Sequence, residues 1–152
     1  MPLFQIISFV VPIVGYIVLP RLLPRHTEPH YRWLLYIAGV LFFVSWYLPS
    51  PLIDGQDTSF VTHVVGGGIY TGLIWVYVKQ SLHWRSHWLL EAFSLFALVS
   101  ALGCINELAE LFMVRAHVAT ILLSDTNWDI LANTLGAFIV YIGYAVYDRW
   151  RR

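Results

Sequence analysis

The sequence predicts an all-α fold: a polytopic membrane bundle with about five transmembrane helices, forming one integral membrane domain over residues 1–152. Composition is the first reason. Hydrophobic residues fill 59% of the chain and charged ones 12%, whereas a soluble domain carries about a quarter charged residues. Second, the apolar residues gather in five runs, near the roughly 20 residues a helix needs to cross a bilayer. Third, runs such as Ile6-Ile7-Ser8-Phe9-Val10-Val11 and Leu95-Phe96-Ala97-Leu98-Val99 lack the apolar–polar alternation of barrel strands. The composition excludes a disordered tail and weighs strongly against a soluble globular enzyme. It also excludes a nucleic-acid binder, because 9 Lys+Arg against 9 Asp+Glu supply no basic field for phosphates.

The first span is expected at about Leu3–Leu19, with Pro12 as a tolerable kink. It has neither the basic flank nor the small-residue cleavage site of a signal peptide, and reads as a retained span. The second, about Trp33–Leu48, is short and is stopped by Pro49-Ser50-Pro51. The third runs about Phe60–Val78 and the fourth about Trp88–Val114, long enough to tilt. The last covers about Trp128–Tyr147, and short connections leave no room for a soluble domain. Trp33, Trp46, Trp84, Trp88, Trp128 and Trp150 fall near the span ends, where amphipathic rings anchor to the interface. Cys104 is the only cysteine, so no intrachain disulfide forms, and its apolar neighbourhood suggests a packing role.

Orientation follows from the basic residues. Arg21, Arg25, Arg32, Lys79, Arg85, Arg149, Arg151 and Arg152 all fall on one side of the five spans, and Arg115 alone on the other. By the positive-inside rule, the chain sits in a cell inner (cytoplasmic) membrane with its N-terminus outside and its C-terminus in the cytoplasm.

Function is sought in the polar residues, since ionisable groups within a membrane are costly and usually face the bundle interior or an aqueous cavity. At about 1.5 Å rise per residue, His63, Glu107, Glu110, Asp129 and Asn133 fall about 7–14 Å to the outer side of their span midpoints. Three helices thus bring polar groups to one outer-leaflet layer. Glu107 and Glu110 share a face at i,i+3, and Asp129 and Asn133 share another at i,i+4. Gly66-Gly67-Gly68 and the Gly68…Gly72 spacing permit close helix approach beside His63. Asp57, Asp125, His117 and Arg115 lie in the adjoining outer loops, able to close over such a cavity.

Each part has a plainer reading: His63 donating to a backbone carbonyl, Asp129 capping a helix near water, Asn133 as interhelical glue. The glutamate pair resists this, since two carboxylates on one face repel. Together His63, Glu107, Glu110 and Asp129 offer oxygen-rich ligands and one imidazole, suited to a divalent ion such as Mg²⁺, Mn²⁺ or Zn²⁺. They equally suit general acid–base work. On the cytoplasmic side, His83, His87 and Glu91 step by four along one potential helix face, and His26 and His30 are also i,i+4; these read as surface residues beside water.

Glu107-Leu108-Ala109-Glu110, Asp125-Thr126-Asn127-Trp128-Asp129-Ile130 and Asn133-Thr134-Leu135-Gly136-Ala137 resemble the C-terminal half of small bacterial inner-membrane proteins of the VanZ-like group. The resemblance covers about Asp57–Gly143 and implies site positions at His63, Glu107, Glu110, Asp129, Asn133 and Gly136. Asp57 stands six residues before His63, farther than the family's acidic residue, and Thr58 replaces that residue's basic neighbour. The family's namesake is associated with resistance to teicoplanin, an activity the resemblance does not carry to this chain.

Three functions follow as expectations. The first is an outer-leaflet acidic cavity binding or processing a lipid head group or cell-envelope precursor, with a divalent metal and with Arg115 on a phosphate. The second is a non-catalytic accessory subunit whose acidic cluster meets a membrane-protein partner. The third is an ion or proton transporter, weakened by an apolar mid-membrane and a one-sided cluster.

Overall fold

The computed structural model describes residues 3–23, 31–53, 55–117 and 126–151. Among them the chain forms five helices, each where an apolar run was expected. Helix α1, Leu3–Leu22, continues through both Pro12 and Pro20. Helix α2, Arg32–Ser45, ends three residues before the expected Leu48. Its last turn tightens into bonds from Tyr47 N–H to the Val44 carbonyl and from Leu48 N–H to the Ser45 carbonyl. A two-residue antiparallel ladder, β1 (Leu52–Ile53) and β2 (Gln56–Asp57), follows. Helix α3 spans Phe60–Ser81, α4 Trp88–Arg115, and α5 Thr126–Arg151.

Three of these, Phe60–Ser81, Trp88–Arg115 and Thr126–Trp150, are long and apolar enough to cross a membrane. The apolar helical stretches Phe9–Leu22 and Arg32–Ser45 are shorter; 14 residues of α2 reach only about 21 Å.

Helix α3 is central. It packs against α2 on one side and α5 on the other, with α1 outside α2 and α4 outside α5. Helix α4 shows why the bundle suits lipid. Only a stripe at every fourth position, Glu91, Leu95, Val99 and Gly103, is buried, joined farther along by Glu110. Leu90, Phe93, Phe96, Ile105, Leu108 and Phe112 are exposed around it, a contiguous apolar surface that water disfavours and hydrocarbon accepts. Cys104 lies on the exposed part of α4, so the expected packing role gives way to an outward position.

The α3–α5 contact is built from missing side chains. A Cβ on Gly136 would fall 2.9 Å from the Gly68 Cα, and one on Gly72 would fall 2.8 Å from the Val140 Cβ. At this crossing α3 widens: His63–Ile69 is a π-helical segment, and the Tyr70 N–H reaches the Val65 carbonyl five residues back. Three consecutive glycines weaken the ordinary helix preference and let the α5 backbone lie against the wider turn. The far half of the bundle is closed by aromatics. Trp75 meets Tyr141, Tyr144 and Trp84 edge-on, with ring centroids 5.8, 6.1 and 6.3 Å away.

Candidate functional site

Asp129 lies in the first turn of α5 and His63 at the start of the π-helical segment, so the two N-terminal ends meet. His63 Nε2 stands 3.2 Å from Asp129 Oδ1, and Asp129 is only 2% exposed. Phe60 and Trp128, one turn and one residue away, pack edge-to-face at 6.3 Å beside them. A buried carboxylate beside an imidazole fixes the ring's orientation and can trade a proton with it.

One turn deeper, Asn133 is wedged between helices. A Cβ on Gly67 would fall 2.8 Å from Asn133 Cγ, and one on Gly103 would fall 3.8 Å from its Nδ2. This explains Gly67, where α3 gives up a side chain to admit the amide; a Cβ at Gly103 would meet it only at ordinary contact distance. Asn133 Oδ1 is buried and has no hydrogen-bond partner among the described residues.

The glutamates come from the C-terminal part of α4 at the same end. Glu107 Oε2 accepts the Thr126 hydroxyl at 2.7 Å, tying α4 to the first residue of α5. Its Oε1 is buried without a partner among the described residues. Glu110, also buried, accepts the Asn106 amide at 2.8 Å. Neutral donors thus serve both acids. Thr126 and Asn106 were not singled out in the sequence. Asn106 was visible one turn before Glu110, and Thr126 three residues before Asp129.

The expected residues therefore share one end of the bundle, where His63 meets Asp129, Glu107 meets Thr126 and Glu110 meets Asn106. No three His, Cys, Asp or Glu side chains among the described residues converge as a metal-binding group. The divalent-metal reading of His63, Glu107, Glu110 and Asp129 therefore finds no support among the described residues. Arg115 closes α4 and is exposed, and His117 follows it at φ 57°. Asp57 is placed by its backbone in β2, opposite Leu52. Asp125 lies outside the described residues, as do Arg25, His26 and His30.

A second polar group occupies the opposite end of α3, 16 residues and about 24 Å from His63. Lys79 was expected in a loop just past the third span. It lies instead within α3's last turn, 4% exposed, with Nζ 2.7 Å from Glu91 Oε1 and 3.0 Å from the Tyr144 hydroxyl. Its ammonium also stands 4.6 Å from the Tyr144 ring centre. Gln80 Nε2 donates to the same hydroxyl at 3.2 Å. The expected helix face of His83, His87 and Glu91 is broken here. His83, at φ 49°, turns the chain out of α3, with its N–H on the Gln80 carbonyl and the Trp84 N–H on the Lys79 carbonyl. His87 caps α4, its Nδ1 accepting the Leu89 N–H. Glu91 belongs to Lys79.

Comparison with known protein families, with curated proteins and with solved structures returns no match.

Proposed function

We propose that the protein spans a bacterial cytoplasmic membrane five times, N-terminus outside, and that the His63 end of the bundle binds a polar lipid head group or cell-envelope precursor in the outer leaflet. The observation that carries this reading is the His63–Asp129 pair, placed by two helices at the same end as buried Glu110 and Asn133. Acceptor atoms dominate there: Glu107 Oε1 and Asn133 Oδ1 are buried with capacity to spare. Such a site favours a ligand that presents donors, hydroxyls or an ammonium, because an unfilled buried acceptor costs about 1–3 kcal/mol. His63, backed by Asp129, is suited to take a proton from a hydroxyl set beside it.

Orientation is supported by the basic residues. With Lys79 buried, seven remain on one side against Arg115 on the other. Helices α1 and α2 complete the five crossings, short α2 being accommodated by local thinning of the bilayer. The VanZ-like resemblance, through Glu107, Glu110, Asp129, Asn133 and Gly136, supports the same compartment and the same site.

The test uses a lipid rich in hydroxyl donors and free of phosphate, digalactosyl diacylglycerol, retained by the full chain in native mass spectrometry. Glu107→Gln and His63→Gln are expected to lower its retention about tenfold, the worth of one good hydrogen bond to a charged group. Retention unchanged in both variants would remove this reading.

A further inference from the structure

At the Lys79 end, a cavity of about 410 Å³ opens between Tyr31 just before α2, the α3–α4 turn and α5, lined among others by Lys79, Gln80, His83, Arg85, Tyr144 and Asp148. That volume matches sites for small ligands. Its chemistry can be read by counting protons. Lys79 carries three N–H donors; Glu91 and Tyr144 take two. The Tyr144 oxygen accepts from both Lys79 and Gln80, which leaves its own O–H to donate elsewhere. Gln80 keeps a second amide N–H, and Arg85, exposed at the rim, adds a guanidinium.

Donors from Lys79, Gln80, Arg85 and Tyr144 therefore converge on a space in which Asp148 is the one lining carboxylate among the described residues. Net charge does not explain them, since Glu91 and Asp148 balance Lys79 and Arg85. A ligand with several acceptor oxygens on one atom does. The height in the bundle matters too: Lys79 lies in the last turn of α3 and Glu91 in the first turn of α4, which on the membrane-spanning reading proposed above is the level of the phospholipid head groups.

We infer that this cavity binds a phosphate group, with the phosphodiester of a membrane phospholipid as its source. Arg85 and the third Lys79 proton meet the phosphate oxygens, and the Tyr144 hydroxyl donates a further bond. The near-balanced charge makes the site indifferent to whether the lipid as a whole is anionic or zwitterionic.

Phosphatidylcholine is the discriminating probe, because it carries a phosphate and no hydrogen-bond donor. The full chain in neutral detergent is expected to retain it in native mass spectrometry. Arg85→Gln should lower that retention about tenfold, and Tyr144→Phe, which keeps the ring, several-fold. Neither variant should alter retention of digalactosyl diacylglycerol, so failure here is separable from failure at the His63 end. Competition by millimolar inorganic phosphate supports phosphate recognition and assigns the free anion as a ligand. Retention that inorganic phosphate does not displace assigns the lipid. Equal retention of phosphatidylcholine by the wild type and by both variants overturns the proposal.

Discussion

The two ends of the α3–α5 pair solve the burial of charge in opposite ways. At the Lys79 end, a cation and an acid from neighbouring helices meet directly, and a tyrosine and a glutamine close around the ammonium. At the His63 end, three acids and one imidazole gather, and neutral donors from Thr126 and Asn106 serve two of the acids. One end balances its charges and has protons left over; the other is acid-rich and has lone pairs left over. The difference separates a polar cluster that holds the bundle together from one that is left incomplete for something else to finish.

Breaking the balanced end should have the largest effect. Removing one member of a buried ion pair strands the other, at a cost of about 3–5 kcal/mol. Lys79→Met is therefore expected to lower thermal stability in detergent sharply, while Lys79→Met with Glu91→Leu recovers most of the loss. His63→Gln should cost far less. If thermal unfolding shows the two single variants equally destabilised, the contrast between the ends fails.

The crossing between the ends comes next. Gly67→Ala drives a methyl into the Asn133 amide, and overpacking of this kind costs about 1–3 kcal/mol. A Cβ at Gly143 would meet nothing within 4 Å, so Gly143→Ala should be neutral or slightly stabilising. Unfolding curves for the two variants compare a packed glycine with an open one in the same bundle.

The smallest effect is expected at the turn beneath Lys79. His83 adopts a left-handed conformation that costs an ordinary residue about 1–2 kcal/mol and that glycine adopts freely. His83→Gly should raise the melting temperature modestly in thermal unfolding. A loss of stability would show that the His83 side chain holds the turn in a way its backbone does not reveal.

Helix placement was legible because it depends on apolar run length and on punctuation the chain carries locally. Pro49 and Pro51 stop α2 close to their own position, and α4 begins at Trp88 as expected. The end of α3 was misplaced at Val78 because a lysine reads as interface until its partner is known; Glu91, twelve residues on, is what permits its burial. The polar layer was legible in depth, since rise per residue puts His63, Glu107 and Asp129 at one level. Pairing within the layer was not, because depth and phase admit several partners for each acid. Thr126 and Asn106 won the glutamates by geometry that only the packed helices define. The π-helical segment was equally hidden: three glycines are visible in sequence, but the turn widens against Gly136 from a different helix.

That widened turn acts as a phase adjuster along α3. An ordinary helix rotates about 100° per residue, and a turn closed by bonds five residues back takes up one extra residue, so His63 and everything from Tyr70 onward keep the facing an uninterrupted helix would give them. The two polar ends thus stay in phase along a single rod, and excising one residue at the glycines would keep both ends facing as they do while removing the wider turn that the α5 backbone lies against.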